Sequence, residues 1–347
     1  MTDPAAAIAS VVDRAIEERL FPGAEVLVAR GGDIALHLRR GTSDGQHPLA
    51  RDAIFDLASL TKPVATAAML ERLLAAGEVR LEDRASRFLP AFVGAGREAI
   101  TLRQLAGHFS GLPAQVRMAD FLSGAEEARA YLLHIAPEHA PGERVVYSCI
   151  GYLLLGEVIA AVTGQPLDAA FGELVAGPLG LSDTLYAAHR RPDLAARLVP
   201  TAPPERPGAP RPGEVSDSTA RLLGGVVGNA GLFSSARDLH GFARACLDGG
   251  CARPTQRLSP PGMVPPRTLG WELRSADFAD ASCGPGFPAP SIGHTGFTGT
   301  SLWIAPESGL IVIVLSNRTW FSHRGTLKEM AAFRHRIHAL AARLAKG

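Results

Sequence analysis

Ser59 and Lys62, within Phe55-Asp56-Leu57-Ala58-Ser59-Leu60-Thr61-Lys62-Pro63, form the only S-x-x-K of the 347-residue chain. On a helix, residues three apart lie one turn from each other on the same face. The serine is then a candidate nucleophile, and the lysine a group that can take or steer its proton. The chain has three lysines, Lys62, Lys328 and Lys346, and uses arginine wherever else it wants a positive charge. Lysine can release its proton when buried, whereas guanidinium effectively never does. A serine helix cap followed by a surface lysine is the plainer alternative. The arginine bias and the largely apolar run from Pro63 to Leu70 argue against it.

A serine nucleophile also needs an orienting group and donors for the oxyanion. Tyr147, just before a glycine-containing helix, could be aimed by a loop into a cleft; a tyrosine packed at a helix entry is the alternative. In Gly293-His294-Thr295-Gly296-Phe297-Thr298-Gly299-Thr300 the glycines permit close backbone approach, and His294 and Thr295 offer polar contacts. That run could equally be a glycine-rich strand edge. Gly41-Thr42-Ser43-Asp44-Gly45 is a formal G-x-S-x-G, but Gln46-His47-Pro48 follows it with no helix in reach. Metal chemistry has little support: the eleven histidines are scattered, no H-E-x-x-H occurs, and His335 and His338 read as a solvated helix face. No phosphate-binding loop is present, and no cofactor is expected.

These residues must be positioned by the elements around them. An amphipathic helix (Ile8, Val12, Ile16, Leu20) opens the chain, followed by strands over Ala24–Ala29 and Ile34–Leu38 around the turn Gly31-Gly32-Asp33. Ser59 to Gly77 favours a helix in which Pro63 fits only the first turn, so Ser59 stands at its positive end. Thr101 to about Gly180 is mainly helical, Pro200 to Gly213 a surface excursion, and another helix begins near Ser235. Strands are expected at Thr268–Leu273, Thr300–Ile304 and Leu310–Leu315, the last buried on both faces. A long amphipathic helix (Leu327, Met330, Phe333, Ile337, Leu340, Leu344) closes the chain. The pattern implies an α+β fold: one sheet flanked by the terminal helices, with a mainly helical part inserted. The expected division is 1–57 plus 266–347 for the α/β part and 58–265 for the helical part.

The formal net charge of +1 makes no case for nucleic acid or an anionic membrane. No uncharged run approaches the roughly 20 apolar residues needed to span a bilayer, so no membrane span is expected. The N-terminal residues lack a basic head and a long apolar segment, and the four cysteines show no C-x-x-C; a cytoplasmic, reduced protein is the expectation. A Cys246–Cys251 bridge and a reactive Cys149 remain open.

Taken together, Ser59-Leu60-Thr61-Lys62, Tyr147-Ser148-Cys149 and His294-Thr295-Gly296, in this order, resemble the serine β-lactamase/penicillin-binding protein family, in the branch with class C β-lactamases, DD-peptidases and related esterases. Supporting runs include Ser110-Gly111-Leu112-Pro113 and Gly228-Asn229-Ala230-Gly231-Leu232-Phe233-Ser234. The resemblance covers nearly the whole chain and implies a β-lactamase/transpeptidase-like fold with an antiparallel sheet. It implies Ser59 as the acylated nucleophile, Lys62 as its partner and Tyr147 as the proton shuttle. The backbone N–H groups of Ser59 and Phe297 would form the oxyanion hole, and Cys149, His294, Thr295 and Gly296 would contact substrate. Free lysine and tyrosine titrate near ~10.4 and ~10. Burial lowers a lysine and a neighbouring ammonium lowers a tyrosine, so the pair is expected to share protons near neutral pH.

Two departures bear on substrate. Cys149 replaces a residue that is often asparagine and binds a substrate amide, and His294 replaces the lysine of K-T-G, weakening the fixed charge for a carboxylate. The expected activity is a carboxylesterase acting on small to medium acyl esters. The alternatives are a DD-peptidase, aminopeptidase or weak β-lactamase, an acyltransferase, and a non-catalytic binding relative.

Overall fold

The structure, a computed structural model, describes residues 3–249, 256–321 and 326–345. Helix α1 (Pro4–Glu17) is capped by the Asp3 carboxylate, which accepts from the N–H groups of Ala5 and Ala6. It leads into the hairpin of β1 (Gly23–Arg30) and β2 (Asp33–Gly41). After β3 (Phe55–Asp56) the chain turns helical, and α2 (Ala68–Ala75) completes that run. Helix α3 (Cys149–Thr163) is almost entirely apolar. Two short strands, β4 (Leu185–Tyr186) and β5 (Leu232–Ser234), precede α4 (Ala236–Leu247). The chain ends with β6 (Glu272–Arg274), β7 (Ser291–Thr295), β8 (Ser301–Ala305), β9 (Leu310–Ser316) and α5 (Leu327–Leu344).

Six strands form one antiparallel sheet in the order β2-β1-β9-β8-β7-β6. Its first and last parts meet where β1 pairs with β9 (Val26↔Val314, Val28↔Val312), so residues 288 and 284 positions apart become neighbours at the sheet's centre. The period of two splits β9 cleanly. Leu310, Val312 and Val314 pack with Ile8, Val12 and Phe333 of the terminal helices, whereas Ile311, Ile313 and Leu315 join the core under α2, α3 and α4. All seven residues of β9 are buried, as the unbroken apolar run requires.

Several expectations need correction. The helix expected from Ser59 is composite: a 3₁₀ turn (Ala58–Leu60), a π-helical turn (Lys62–Ala67) and then α2. The strand expected from Thr268 starts only at Glu272, because Thr268-Leu269-Gly270 is spent on a turn in which Gly270 has φ 84°. The middle of the chain is not purely helical: β3, β5 and β4 form a second, three-stranded sheet from segments too short to show a period. His338 is not on a solvated face but fully buried against Phe287 and Trp303, and His335 packs on Gly284. Burial pushes the His338 imidazole down to about 3, so it is neutral. Among the described residues, no single helix is long and apolar enough to cross a membrane, and no three His, Cys, Asp or Glu side chains gather as a metal site. Cys251 lies outside the described residues, and with it the pairing considered for Cys246.

Candidate active site

Ser59 sits where a strand becomes a helix. Pairing of β3 with β5 (Phe55↔Ser234, Asp56↔Phe233) delivers the chain to Leu57. Ala58 then adopts φ 47°, a left-handed conformation that costs a non-glycine residue about 1–3 kcal/mol. Hydrogen bonds on both sides hold it. The buried Asp56 carboxylate accepts the N–H of Ala58 at 2.8 Å and that of Ser216 at 2.7 Å. The hydroxyls of Thr298 and Thr300 donate to the carbonyls of Asp56 (2.8 Å) and Leu57 (3.0 Å). One turn on, Thr61 donates to the Ala58 carbonyl at 2.7 Å and accepts the Leu232 N–H at 3.1 Å. The serine is thereby fixed on a rigid corner, half-buried at the edge of a cleft.

Lys62 has no exposed surface. Its Nζ donates to Ser59 Oγ at 3.0 Å, to the Asn229 carbonyl at 3.1 Å and to Cys149 Sγ at 3.6 Å, which uses all three protons of an ammonium. Burial opposes that charge, yet the neighbouring Cys149 and Tyr147 raise it, and the net shift is above the ordinary lysine value. Burial lowers it as expected, but the net direction is opposite to the expected one because these neighbours outweigh burial.

Tyr147 is positioned by the entry to α3. Ser148 caps that helix by accepting the Gly151 N–H at 3.1 Å, and its hydroxyl donates to the Pro113 carbonyl at 2.6 Å. The Ser148 N–H donates to His108 Nδ1 at 3.0 Å, which places the proton of that buried, neutral imidazole on Nε2. The Tyr147 ring lies between the imidazoles of His108 (4.8 Å between centroids) and His294 (5.6 Å), with Lys62 Nζ 4.9 Å from its centroid. Its hydroxyl interacts electrostatically with both Lys62 and Ser59. Burial pushes the phenol up, against the pull of Lys62. The resting pair is therefore an ammonium beside a neutral phenol.

The H-T-G run ends β7 and closes the cleft from the other side. His294 and Thr295 pair with Leu302 and Ser301 of β8. A Cβ on Gly296 would stand 2.0 Å from Thr300 Oγ1 and 2.5 Å from the Leu57 carbonyl, so only glycine lets this strand end meet the nucleophile corner. Arg334, reaching up from α5, donates to the carbonyls of Gly296 (3.0 Å) and Thr300 (2.9 Å). His294 holds its ring by a 2.8 Å contact of Nδ1 with the Thr295 carbonyl, which fixes the Nδ1–H tautomer. Burial, with Lys62 and Arg267 nearby, pushes its pKa far down, so it brings no charge.

Ser59, Tyr147, Cys149, His294, Thr295, Gly296 and Phe297 all line one cleft of about 790 Å³, with Lys62 directly beneath Ser59. Every residue singled out from the three motifs is brought together there. Phe297 is 60% exposed at the rim, with the Arg318 guanidinium 4.6 Å from its ring centroid. Sequence reasoning missed Asn229, which binds Lys62 through its backbone and so leaves no side-chain signal. It also missed Arg267 and Arg334, two arginines among many, which only the fold carries to the site. The surface excursion around Pro200 to Gly213 also lines the cleft, through Arg206 and Pro210.

Comparison with known proteins bears on the family and the fold. The family model described as Beta-lactamase matches residues 8–334. The chain is 30% identical to an N-acetylmuramyl-L-alanine amidase of Bacillus subtilis, over 88% of this chain and 80% of that protein. Among solved structures, "EstCE1, a hydrolase with promiscuous acyltransferase activity" superposes with TM-score 0.75 at 24% identity, covering 97% of this chain and 98% of the other. A class C β-lactamase from Rhodobacter sphaeroides gives TM-score 0.73 at 22% identity, covering 95% and 98%. These two likenesses establish the fold, and the match along nearly the whole chain establishes the lineage: this protein belongs to the Beta-lactamase family and is a serine hydrolase of that family.

Proposed function

We propose that the protein hydrolyses carboxylic esters of small to medium acyl groups through an acyl-enzyme on Ser59. The observation that carries this reading is the convergence of Ser59 Oγ, Lys62 Nζ at 3.0 Å and the Tyr147 hydroxyl on one cleft. In the productive form the Lys62–Tyr147 pair has lost one proton and acts as a single coupled base. It takes the hydroxyl proton of Ser59 as Oγ bonds to the substrate carbonyl carbon. The oxyanion is received by the backbone N–H groups of Ser59 and Phe297. The pair then returns the proton to the leaving oxygen as its bond to carbon breaks. Water repeats the sequence in the second half, with the pair again acting as base, and releases the acid.

Cys149 supports ester over amide chemistry. Its thiol occupies the position beside Lys62 where a carboxamide would otherwise hold a substrate amide. The second reading, amide hydrolysis, is favoured by the name of the Bacillus subtilis relative. Comparing kcat/KM for p-nitrophenyl butyrate, nitrocefin and a D-Ala-D-Ala peptide separates the two. Faster turnover of either amide substrate would replace the ester assignment.

A further inference from the structure

Tyr147 enters the site from a loop, and a loop alone does not hold a phenol against a buried ammonium. His108 supplies the hold. It follows the short helix Leu102–Ala106 and is 2% exposed. It grips the chain on both sides of the tyrosine: its carbonyl accepts the Val146 N–H at 2.8 Å, and its Nδ1 accepts the Ser148 N–H at 3.0 Å. Its ring also meets that of Tyr147, with centroids 4.8 Å apart and planes inclined by 43°. Tyr152 braces the imidazole in turn. Its ring lies 5.0 Å from that of His108, and its hydroxyl donates to the Ala106 carbonyl at 3.0 Å.

Two features of His108 distinguish it from a ring that merely fills space. Its backbone sits at φ 62°, in the left-handed region that histidine, asparagine and aspartate enter more readily than other side chains. Its Nε2 is buried without a hydrogen-bond partner, a loss that phenylalanine or leucine would avoid. What the site gains is the lone pair on Nδ1. That atom takes the N–H of Ser148, the cap of α3, a donor which the helix beginning there does not satisfy. Burial, with Arg267, Lys62 and His294 around it, holds the imidazole neutral and so keeps the lone pair available.

We propose that His108 is the positioning residue of the acid–base pair, a two-point clamp on Val146 and Ser148 that fixes the Tyr147 phenol beside Lys62 and affects catalysis through that tyrosine alone. This rests on the reading of Tyr147 as a proton carrier given above. His108 itself exchanges no proton in the reaction, because its one lone pair is engaged by Ser148.

The test compares His108→Gly, His108→Gln and His108→Asn, each alone and combined with Tyr147→Phe, and each checked for a cooperative melt. Glycine accepts φ 62° without strain but brings no acceptor. Asparagine carries Oδ1 where histidine has Nδ1, whereas glutamine carries its amide one bond further out. For p-nitrophenyl butyrate, kcat should fall about tenfold or more in the glycine and glutamine variants, with KM within about threefold of wild type. The asparagine variant should stay within about threefold of wild type in both constants. On the Tyr147→Phe background the same substitutions should change the residual rate less than about twofold, since the clamp has nothing left to position. Glutamine as active as asparagine, or asparagine as slow as glycine, overturns the clamp. A loss of equal size with and without Tyr147 overturns it too, and marks His108 as a general support of the fold. If the glycine variant does not fold, the asparagine–glutamine pair still decides. Long-range proton–nitrogen NMR of wild type, with His108 assigned by its absence from His108→Asn, should show the Nε2–H tautomer from about pH 6 to 8. The Nδ1–H tautomer or an imidazolium there contradicts the clamp. Tyr147→Phe alone separates the two failures: if it keeps wild-type activity, the catalytic reading beneath falls, whereas a slow Tyr147→Phe with undiminished His108 effects sinks the clamp alone.

Discussion

Gly296→Ala tests how the two halves of the site are held together. An added Cβ would lie 2.5 Å from the Leu57 carbonyl, about 0.9 Å short of the 3.4 Å at which ordinary contact begins. It would also lie 2.0 Å from Thr300 Oγ1, whose hydroxyl donates to that same carbonyl. Thr300 can rotate away, at the cost of a buried hydrogen bond of about 1 kcal/mol. The Leu57 carbonyl cannot, because it belongs to the corner that carries Ser59. Either the H-T-G strand or the nucleophile must therefore retreat by about 1 Å, and a misplacement of that size costs about 10²-fold in rate. We expect kcat/KM for p-nitrophenyl butyrate to fall about a hundredfold, with a cooperative unfolding transition retained. Adding Thr300→Ala should recover little, since the backbone clash persists. Activity of Gly296→Ala within threefold of wild type would refute the idea that contact of this strand with Leu57 sets the catalytic geometry.

Lys62→Arg should be as inactive as Ser59→Ala, about 10³-fold or more below wild type, because a guanidinium neither fits the buried Nζ site nor exchanges its proton; retention of a tenth of the activity speaks against proton transfer by this pair. The kcat/KM profile should rise with pH into the alkaline range, since both Lys62 and Tyr147 are shifted upward and the base form requires one proton fewer; a profile flat above neutrality is inconsistent with that pair as base. Cys149→Asn should raise nitrocefin or peptide turnover relative to ester turnover severalfold, as a carboxamide beside Lys62 restores an amide contact; an unchanged ratio removes Cys149 as a determinant. His338 is neutral when buried, with its pKa pushed down to about 3 from the usual 6.5. The unfolded chain therefore binds the extra proton first, and stability present above about pH 6.5 is lost as pH falls toward 3. His338 alone contributes a loss of about 2 kcal/mol between pH 7 and 5, to be read from urea midpoints of wild type and His338→Gln.

The parts of the fold carried by long periodic segments were legible in the sequence. The first helix, β1 and the all-apolar β9 bury the apolar faces that their patterns mark, and the last helix buries Met330, Phe333 and Ile337 of its stripe but leaves Leu327 61% exposed at its start. Segments of two or three residues, such as β3, β4 and β5, show no period and exist only because they pair with distant chain. His338 was misread because a histidine on an amphipathic helix reports its face only through neighbours, and those neighbours are Phe287 and Trp303 from elsewhere in the chain. At the site, side chains with special chemistry stood out: a serine three residues from a rare lysine, and a glycine where two backbones touch. The charge balance did not. Lys62 is held by a backbone carbonyl and a thiol, and Arg334 by the carbonyls of Gly296 and Thr300. Neither property belongs to a residue type or a spacing.

The most direct test of the central claim is mass-spectrometric mapping of the protein after reaction with a fluorophosphonate. A single adduct on the peptide containing Ser59, absent in Ser59→Ala and strongly slowed in Lys62→Arg, is the expected result. An adduct on Ser43 or on another residue, or a folded wild-type protein that remains unlabelled, would contradict it.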